Sequence, residues 1–211
     1  MRAVVFDFDG TLIDSYGAIA ASVNHVRATH GLPPLSETEV RKYVGRGPEY
    51  LLRHTVGDFD IAADLRCYRE HHPSVMRSLT HLLPGASEAL QAVRDAGLRT
   101  GICSNKPRPF TEALLKSLDI DRLIDAVVGP EDAPRPKPAP EMLLAVMRRL
   151  EVRPDQTLYV GDMTVDIETA RAAGVAVWVV PTGSSTRQEL EHAQPDRVLN
   201  DLGELPGLLG G

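Results

Sequence analysis

The sequence predicts an α/β fold: a parallel sheet with helices on both faces, interrupted near its start by an all-helical insert. Three observations carry this. From about residue 82 onward, short apolar runs alternate with helix-patterned segments, the alternation that parallel sheets require. The run Ala3-Val4-Val5-Phe6 is apolar throughout, as a strand buried on both faces must be. Between these parts, residues 15–80 show helical spacing and turn residues but no strand pattern.

The first strand is followed directly by Asp7 and Asp9. Residues two apart on an extended chain point to the same face, so both carboxylates look the same way. Gly10 then frees the backbone to turn. Two like charges about 4 Å apart repel by roughly 4 kcal/mol at an effective dielectric of about 20. A cation, a shared proton or bulk water must relieve the pair, and at the end of a buried strand we favour the cation.

In the insert, residues 16–29 read as a helix with Ile19, Val23 and Val26 at helical spacing and Ser15 as N-cap. Gly31, Pro33 and Pro34 stop it. Ser36-Glu37-Thr38-Glu39 fits a capping box opening a helix that runs to about Val44. Gly45-Arg46-Gly47-Pro48 breaks the chain, and residues 49–56 form a short helix. Residues 60–79 read as one longer helix or two, with Pro73 a kink or break.

In the second part, helices are expected over 86–96 (closed by Gly97), 109–118, 141–150, 165–173 (closed by Gly174) and 186–192. Strands are expected over 98–103, 126–128, 158–160, 175–180 and 198–199. Residues 130–140, with five prolines, are the most irregular stretch. Ligands of such sheets bind beyond the carboxyl ends of the strands. Three polar clusters fall there: Asp7/Asp9, Ser104/Asn105 and Asp162/Asp166.

Composition narrows the function. At 211 residues, 43% hydrophobic and 25% charged, the chain is an ordinary globular protein. A formal charge of -6 without a dense Lys/Arg run argues against nucleic-acid binding. Cys67 and Cys103 are too few and too far apart for a disulfide framework or a zinc site. Cys103 reads as buried packing. Asp7 and Asp9 interrupt the apolar segment that a signal peptide would need. The longest apolar run, 175–180, is too short to span a bilayer. The expected place is the cytoplasm, with no membrane partner.

Asp162 repeats the strand-then-carboxylate pattern of Asp7, and Asp166, four residues on, opens a helix. The helix dipole alone accounts for an acidic residue at Asp166. Converging carboxylates with water in the remaining positions describe a hard-cation site, best suited to Mg²⁺. Lys137, within Pro134-Arg135-Pro136-Lys137-Pro138-Ala139-Pro140, reads either as a solvated lysine in a stiff linker or as a point charge fixed by proline rigidity. Ser104 and Asn105 offer a hydroxyl, an amide and backbone N–H groups, and alone mark little more than a turn. No serine-hydrolase arrangement is evident. Together these groups suit phosphoryl transfer, with a carboxylate as nucleophile and a neighbouring acid for the leaving oxygen.

Asp7-Phe8-Asp9-Gly10-Thr11, Ser104-Asn105, Lys137 in its proline run, and Gly161-Asp162-Met163-Thr164-Val165-Asp166 stand in the order and spacing of four motifs. They resemble those of the haloacid dehalogenase superfamily over nearly the whole chain. The resemblance implies a Rossmann-like core (1–14 and 81–211) with a helical cap (15–80). It implies Asp7 as nucleophile, Asp9 as general acid/base, and Ser104 with Lys137 on the phosphoryl group. Gly10, Thr11 and Asn105 fall on the substrate side. Mg²⁺ would be held by Asp7, the carbonyl of Asp9 and Asp162, with Asp166 in support. Dehalogenase members lack a carboxylate at the position of Asp9, which argues against dehalogenation.

Within the superfamily, Val44-Gly45-Arg46-Gly47 with Leu51-Leu52 is similar to the cap segment of phosphoglycolate phosphatases, as is the tail from Gln194 to Leu199. Met163 stands where related phosphatases often carry a small residue. The resemblance implies a small phosphorylated metabolite as partner and a monomer or homodimer. Arg46, between two glycines, is the candidate contact to the leaving group. Rival readings are a β-phosphoglucomutase-like enzyme, an inorganic pyrophosphatase and, more remotely, a receiver-like signalling domain.

Overall fold

The structure is a computed structural model that describes residues 1–209; residues 210 and 211 of the expected core segment 81–211 lie outside the described residues. The chain opens with β1 (Ala3–Phe6) and β2 (Ile13–Asp14), then four helices, α1 (Tyr16–Thr29), α2 (Glu37–Arg41), α3 (Pro48–Thr55) and α4 (Ile61–Val75). After β3 (His81–Leu82) come α5 (Ala86–Asp95), β4 (Arg99–Cys103), α6 (Arg108–Ser117), β5 (Ala126–Val128) and α7 (Glu141–Leu150). The last part is β6 (Thr157–Gly161), α8 (Thr164–Ala173), β7 (Ala176–Val179), α9 (Arg187–His192), β8 (Arg197–Val198) and α10 (Leu205–Leu209).

Six strands form one parallel sheet in the order β5-β4-β1-β6-β7-β8. β1 lies inside it, with Val5 opposite Gly101 on one side and Tyr159 on the other. Period-two alternation sends Val4 and Phe6 into the apolar layer on one face and Ala3 and Val5 into the layer on the other. The chain winds outward from β1 first through β4 and β5, then through β6 to β8. The strand order therefore reverses beside β1, where α/β sheets open a ligand crevice.

The helices α1 to α4 gather around a third apolar cluster that includes Ile19, Val23, Val40, Leu52 and Tyr68. Leu52 is fully buried there, which stabilises this unit by about 2 kcal/mol relative to an exposed leucine. Strands β2 and β3, which the sequence reading did not anticipate, pair antiparallel through Ile13↔Leu82 and Asp14↔His81. Each is two residues long, too short to leave a periodic pattern. The pairing clamps the two chain crossings between the helical unit and the sheet.

Other differences are local. Of the one-helix and two-helix readings of residues 60–79, the structure takes the first: α4 runs through Pro73 and ends at Val75. Pro73 sits in the last turn, where Met76 N–H still bonds the His72 carbonyl and its side chain packs into the core below. The capping box at Ser36 and Glu39 is present, but α2 ends at Arg41. Ser15 occupies the cap position of α1 without making a cap bond. Among the described residues, no helix is long and apolar enough to cross a membrane.

Candidate active site

The three polar clusters converge. β1 ends into Asp7, whose backbone N–H donates to the Val160 carbonyl at 2.8 Å. β4 ends into Ser104, and β6 into Asp162. One carboxylate oxygen from each of Asp7, Asp162 and Asp166 lies within 4.8 Å of the others, and all three residues are buried.

Lys137 enters this group from the proline-rich loop. Its Nζ lies 2.6 Å from Asp166 Oδ1, 2.9 Å from Asp7 Oδ1 and 3.0 Å from the Tyr159 hydroxyl. The solvated-linker reading is thereby excluded, since Lys137 is 3% exposed. Burial alone would lower its ammonium, but Asp166 and Asp7 more than offset this and hold it above the ordinary lysine value.

Asp166 is tightly engaged. Its Oδ2 accepts the N–H groups of Asp162 and Met163 at 3.1 and 3.0 Å, while Oδ1 receives Lys137. It thus caps α8, as the helix-dipole reading has it, and anchors the lysine as well. Asp162 has a different surrounding. Thr11 Oγ1 donates to its Oδ1 at 2.8 Å and the Ser184 N–H to its Oδ2 at 3.1 Å. A Cβ at Gly183 would lie 1.5 Å from Asp162 Oδ2, and one at Gly10 2.7 Å from it. Both glycines let backbone close around the carboxylate.

Asp9 stands apart from that cluster. Its Oδ1 accepts from Ser15 Oγ at 2.5 Å and from Lys106 Nζ at 3.0 Å, so Ser15 orients Asp9 instead of capping its helix. Asp7, Asp9, Ser104, Asn105 and Lys106 line one face of a cleft closed from the other side by the helical unit, including Gly45, Leu51, Tyr68 and His72. The cavity volume there is ≈ 40 Å³, so the helical unit leaves the cleft narrow.

The substrate-side residues fall in different places. Thr11 and Gly10 do not line the cleft; they support Asp162 from behind. Asn105 does line it, yet its side chain mainly ties loops together. Its Nδ2 donates to the carbonyls of Gly45 and Lys137 at 2.9 and 3.1 Å, and its Oδ1 accepts the Lys137 N–H at 3.0 Å. Arg46 faces a neighbouring groove with Arg69 and Glu131, its guanidinium 5.8 Å from the Tyr50 ring centre. Its flanking glycines, Gly45 and Gly47, line the cleft instead. The sulfur of Met163 packs on Gly45, where a Cβ would lie 2.0 Å from it.

Sequence reasoning missed Lys106, Tyr159 and His72. Lys106 directly follows Ser104 and Asn105 at the strand end, so its signal was present. Tyr159 and His72 carried none, because a tyrosine in an apolar strand and a histidine on a helix are ordinary core or surface residues.

The electrostatics call for a cation. Burial, and secondarily Asp166, push Asp7 up to about 6 against the pull of Lys137. Burial, then Asp166 and Asp7, hold Asp162 well above the carboxylate range. One lysine faces three buried carboxylates. Asp7 Oδ1, moreover, is buried without a hydrogen bond of good geometry. An oxygen-only donor set whose buried negative charge one lysine does not balance fits a hard divalent cation, held by Asp7 and Asp162. Asp166 already has partners on both oxygens, so it fits as a support for these two.

Residues 4–180 match the family model described as haloacid dehalogenase-like hydrolase. The chain belongs to this family. Among curated proteins it is 33% identical to a phosphoglycolate phosphatase of Salmonella choleraesuis, over 100% of this chain and 93% of that protein. The phosphoglycolate phosphatase of Escherichia coli K12 is 32% identical over the same shares. Among solved structures, a predicted phosphoglycolate phosphatase from Haemophilus somnus superposes with a TM-score of 0.92 at 25% identity, covering 99% of this chain and 97% of the other. CbbY from Rhodobacter sphaeroides, in complex with phosphate, gives 0.83 at 26%, covering 97% and 96%.

Proposed function

We propose that this protein is a Mg²⁺-dependent phosphatase acting on a small phosphomonoester of the phosphoglycolate kind, through an aspartyl-phosphate at Asp7. The observation that carries the reading is Asp7 at the floor of a covered cleft, between Lys137 and Asp162 on one side and Asp9 on the other. The names of the full-length relatives support the substrate class.

In this reading a carboxylate oxygen of Asp7 attacks phosphorus as the ester P–O bond breaks, and Asp9 gives its proton to the departing oxygen. Asp9, now a carboxylate, takes a proton from the water that attacks the acyl phosphate. That step releases inorganic phosphate and restores Asp7. Lys137 and the Ser104 hydroxyl hold the phosphoryl oxygens, and Asp166 with Tyr159 keeps the lysine aimed. Ser15 and Lys106 fix the direction of Asp9. The helical unit excludes water from the cleft. When bound by Asp7 and Asp162, Mg²⁺ supplies charge neutralisation for the incoming phosphate dianion.

Phosphate release from 2-phosphoglycolate, sugar monophosphates, pyrophosphate and a nitrophenyl ester, with and without Mg²⁺, tests this. Mg²⁺-dependent release that Asp7→Asn lowers by at least about 10³-fold is the expected result. Release that persists in Asp7→Asn would refute the nucleophile assignment. No release from any ester, with a stable phosphate on Asp7, would point to a mutase or a signalling role.

A further inference from the structure

Among the described residues that line the cleft, Lys106 is the one side chain that keeps a positive charge. Lys137 is committed to Asp7, Asp166 and Tyr159, and Arg46 lines the neighbouring groove. Lys106 is 7% exposed, a depth at which an ammonium needs partners. Its Nζ lies 3.0 Å from Asp9 Oδ1 and 3.4 Å from Asp9 Oδ2. An ammonium has three N–H donors. Asp9 engages two of them at most, so at least one has no acceptor among the described residues. Burial and, next, the Lys106 charge hold the His72 ring neutral, so the ammonium acts across the cleft toward the helical unit.

In the reading above, Asp9 reaches the leaving oxygen, and whatever touches Asp9 stands beside the leaving group. Ser15 Oγ also donates to Oδ1, which leaves Oδ2 as the freer oxygen for that contact. An oxygen hydrogen-bonded to Oδ2 then lies within about 6 Å of Lys106 Nζ. A carboxylate one carbon beyond the ester oxygen bridges this span with a hydrogen bond of its own. The facing wall gives the many hydroxyls of a sugar little to bond, since Ile19, Val44 and Leu51 are apolar.

We propose that Lys106 selects the leaving group: its remaining N–H binds a carboxylate on the carbon next to the ester oxygen, so the preferred substrates are 2-phosphates of short 2-hydroxy acids. This rests on the phosphatase reading and gives the choice of an anionic over a neutral ester to one residue. Hydrogen bonds between an ammonium and a carboxylate are among the stronger ones. A neutral analogue leaves the buried donor short of such a partner.

The test compares 2-phosphoglycolate with its neutral amide, carbamoylmethyl phosphate, which has nearly the same shape. Wild type is expected to favour the acid by about 10-fold or more in kcat/KM. Lys106→Met also loosens Asp9, so kcat falls for both esters. That loss cancels in the ratio, which should drop toward one through a rise in KM for the acid. Lys106→Arg restores the charge and should recover part of the preference. A wild-type ratio near one overturns the inference and needs no variant. Carbon NMR of the lysine Cε signals in wild type, with Lys106 assigned through Lys106→Arg, gives a second readout that does not depend on the folding of Lys106→Met. Glycolate with orthophosphate should shift the Lys106 signal where glycolamide with orthophosphate does not; no shift, or an equal one, overturns the assignment. A preference for the acid that survives in Lys106→Met also overturns it, while leaving the phosphoglycolate reading in place. No release from any ester sinks the phosphatase reading as well.

Discussion

Lys137 sits between two carboxylates that burial would otherwise neutralise. Removing one partner of a buried ion pair costs about 3–5 kcal/mol, because the remaining charges lose their compensation. Lys137→Met should therefore lower stability by that order in urea denaturation at pH 8, besides abolishing phosphate release. His72 gives a pH prediction. Its ring has a pKa of about 3 in the fold against about 6.5 in an unfolded chain. Between these values the unfolded state binds a proton that the folded state refuses. The stability associated with neutral His72 is thus fully present above pH 6.5 and lost as pH falls toward 3, by about 1.4 kcal/mol per pH unit. Between pH 6.5 and 5, His72→Phe should lose about 2 kcal/mol less than wild type; equal losses would refute the burial argument.

At the level of elements, the site depends on how loops are backed. Arg41 of α2 donates to the carbonyls of Thr182 and Gly183 at 2.6 and 2.8 Å and lies 4.2 Å from the Tyr16 ring centre. The helical unit is thereby tied to the loop whose Gly183 touches Asp162. Arg41→Ala should raise KM by about 10-fold, the equivalent of one charge-assisted bond, and speed amide exchange in α2. Gly183→Ala pushes a methyl into Asp162. Calorimetric titration with Mg²⁺ should show at least a 10-fold weaker affinity, an expectation scaled on the loss of outer-shell support. Unchanged Mg²⁺ affinity would mean that Asp162 is not the ligand.

At the level of the molecule, cleft size limits the substrate. The cavity between the two parts is only ≈ 40 Å³, too narrow for a polymer, and the formal charge of -6 repels polyanions at long range. Phosphopeptides and 5′-phosphorylated oligonucleotides should be hydrolysed at least about 100-fold more slowly than the best small ester. That factor corresponds to about 2.7 kcal/mol of transition-state stabilisation. Comparable rates would require the helical unit to swing fully away.

The amino-acid order by itself determined the alternating α/β core, because apolar runs of strand length and amphipathic helices differ in period. It also marked Asp7, Asp9, Ser104 and Asp162, polar residues at the ends of buried strands, and left Lys137 and Asp166 with two readings each. Tertiary structure decided what each of these residues touches. It set Thr11 and Gly10 against Asp162, and Arg46 in a groove beside the cleft. His72 came in from a helix with no contiguous motif, and Lys106 from the position next to Asn105. The two-residue ribbon β2–β3 exists only because the chain crosses twice at one place. Such placements depend on contacts between residues far apart in the chain, as with Thr11 and Asp162, and local periodicity carries no record of them.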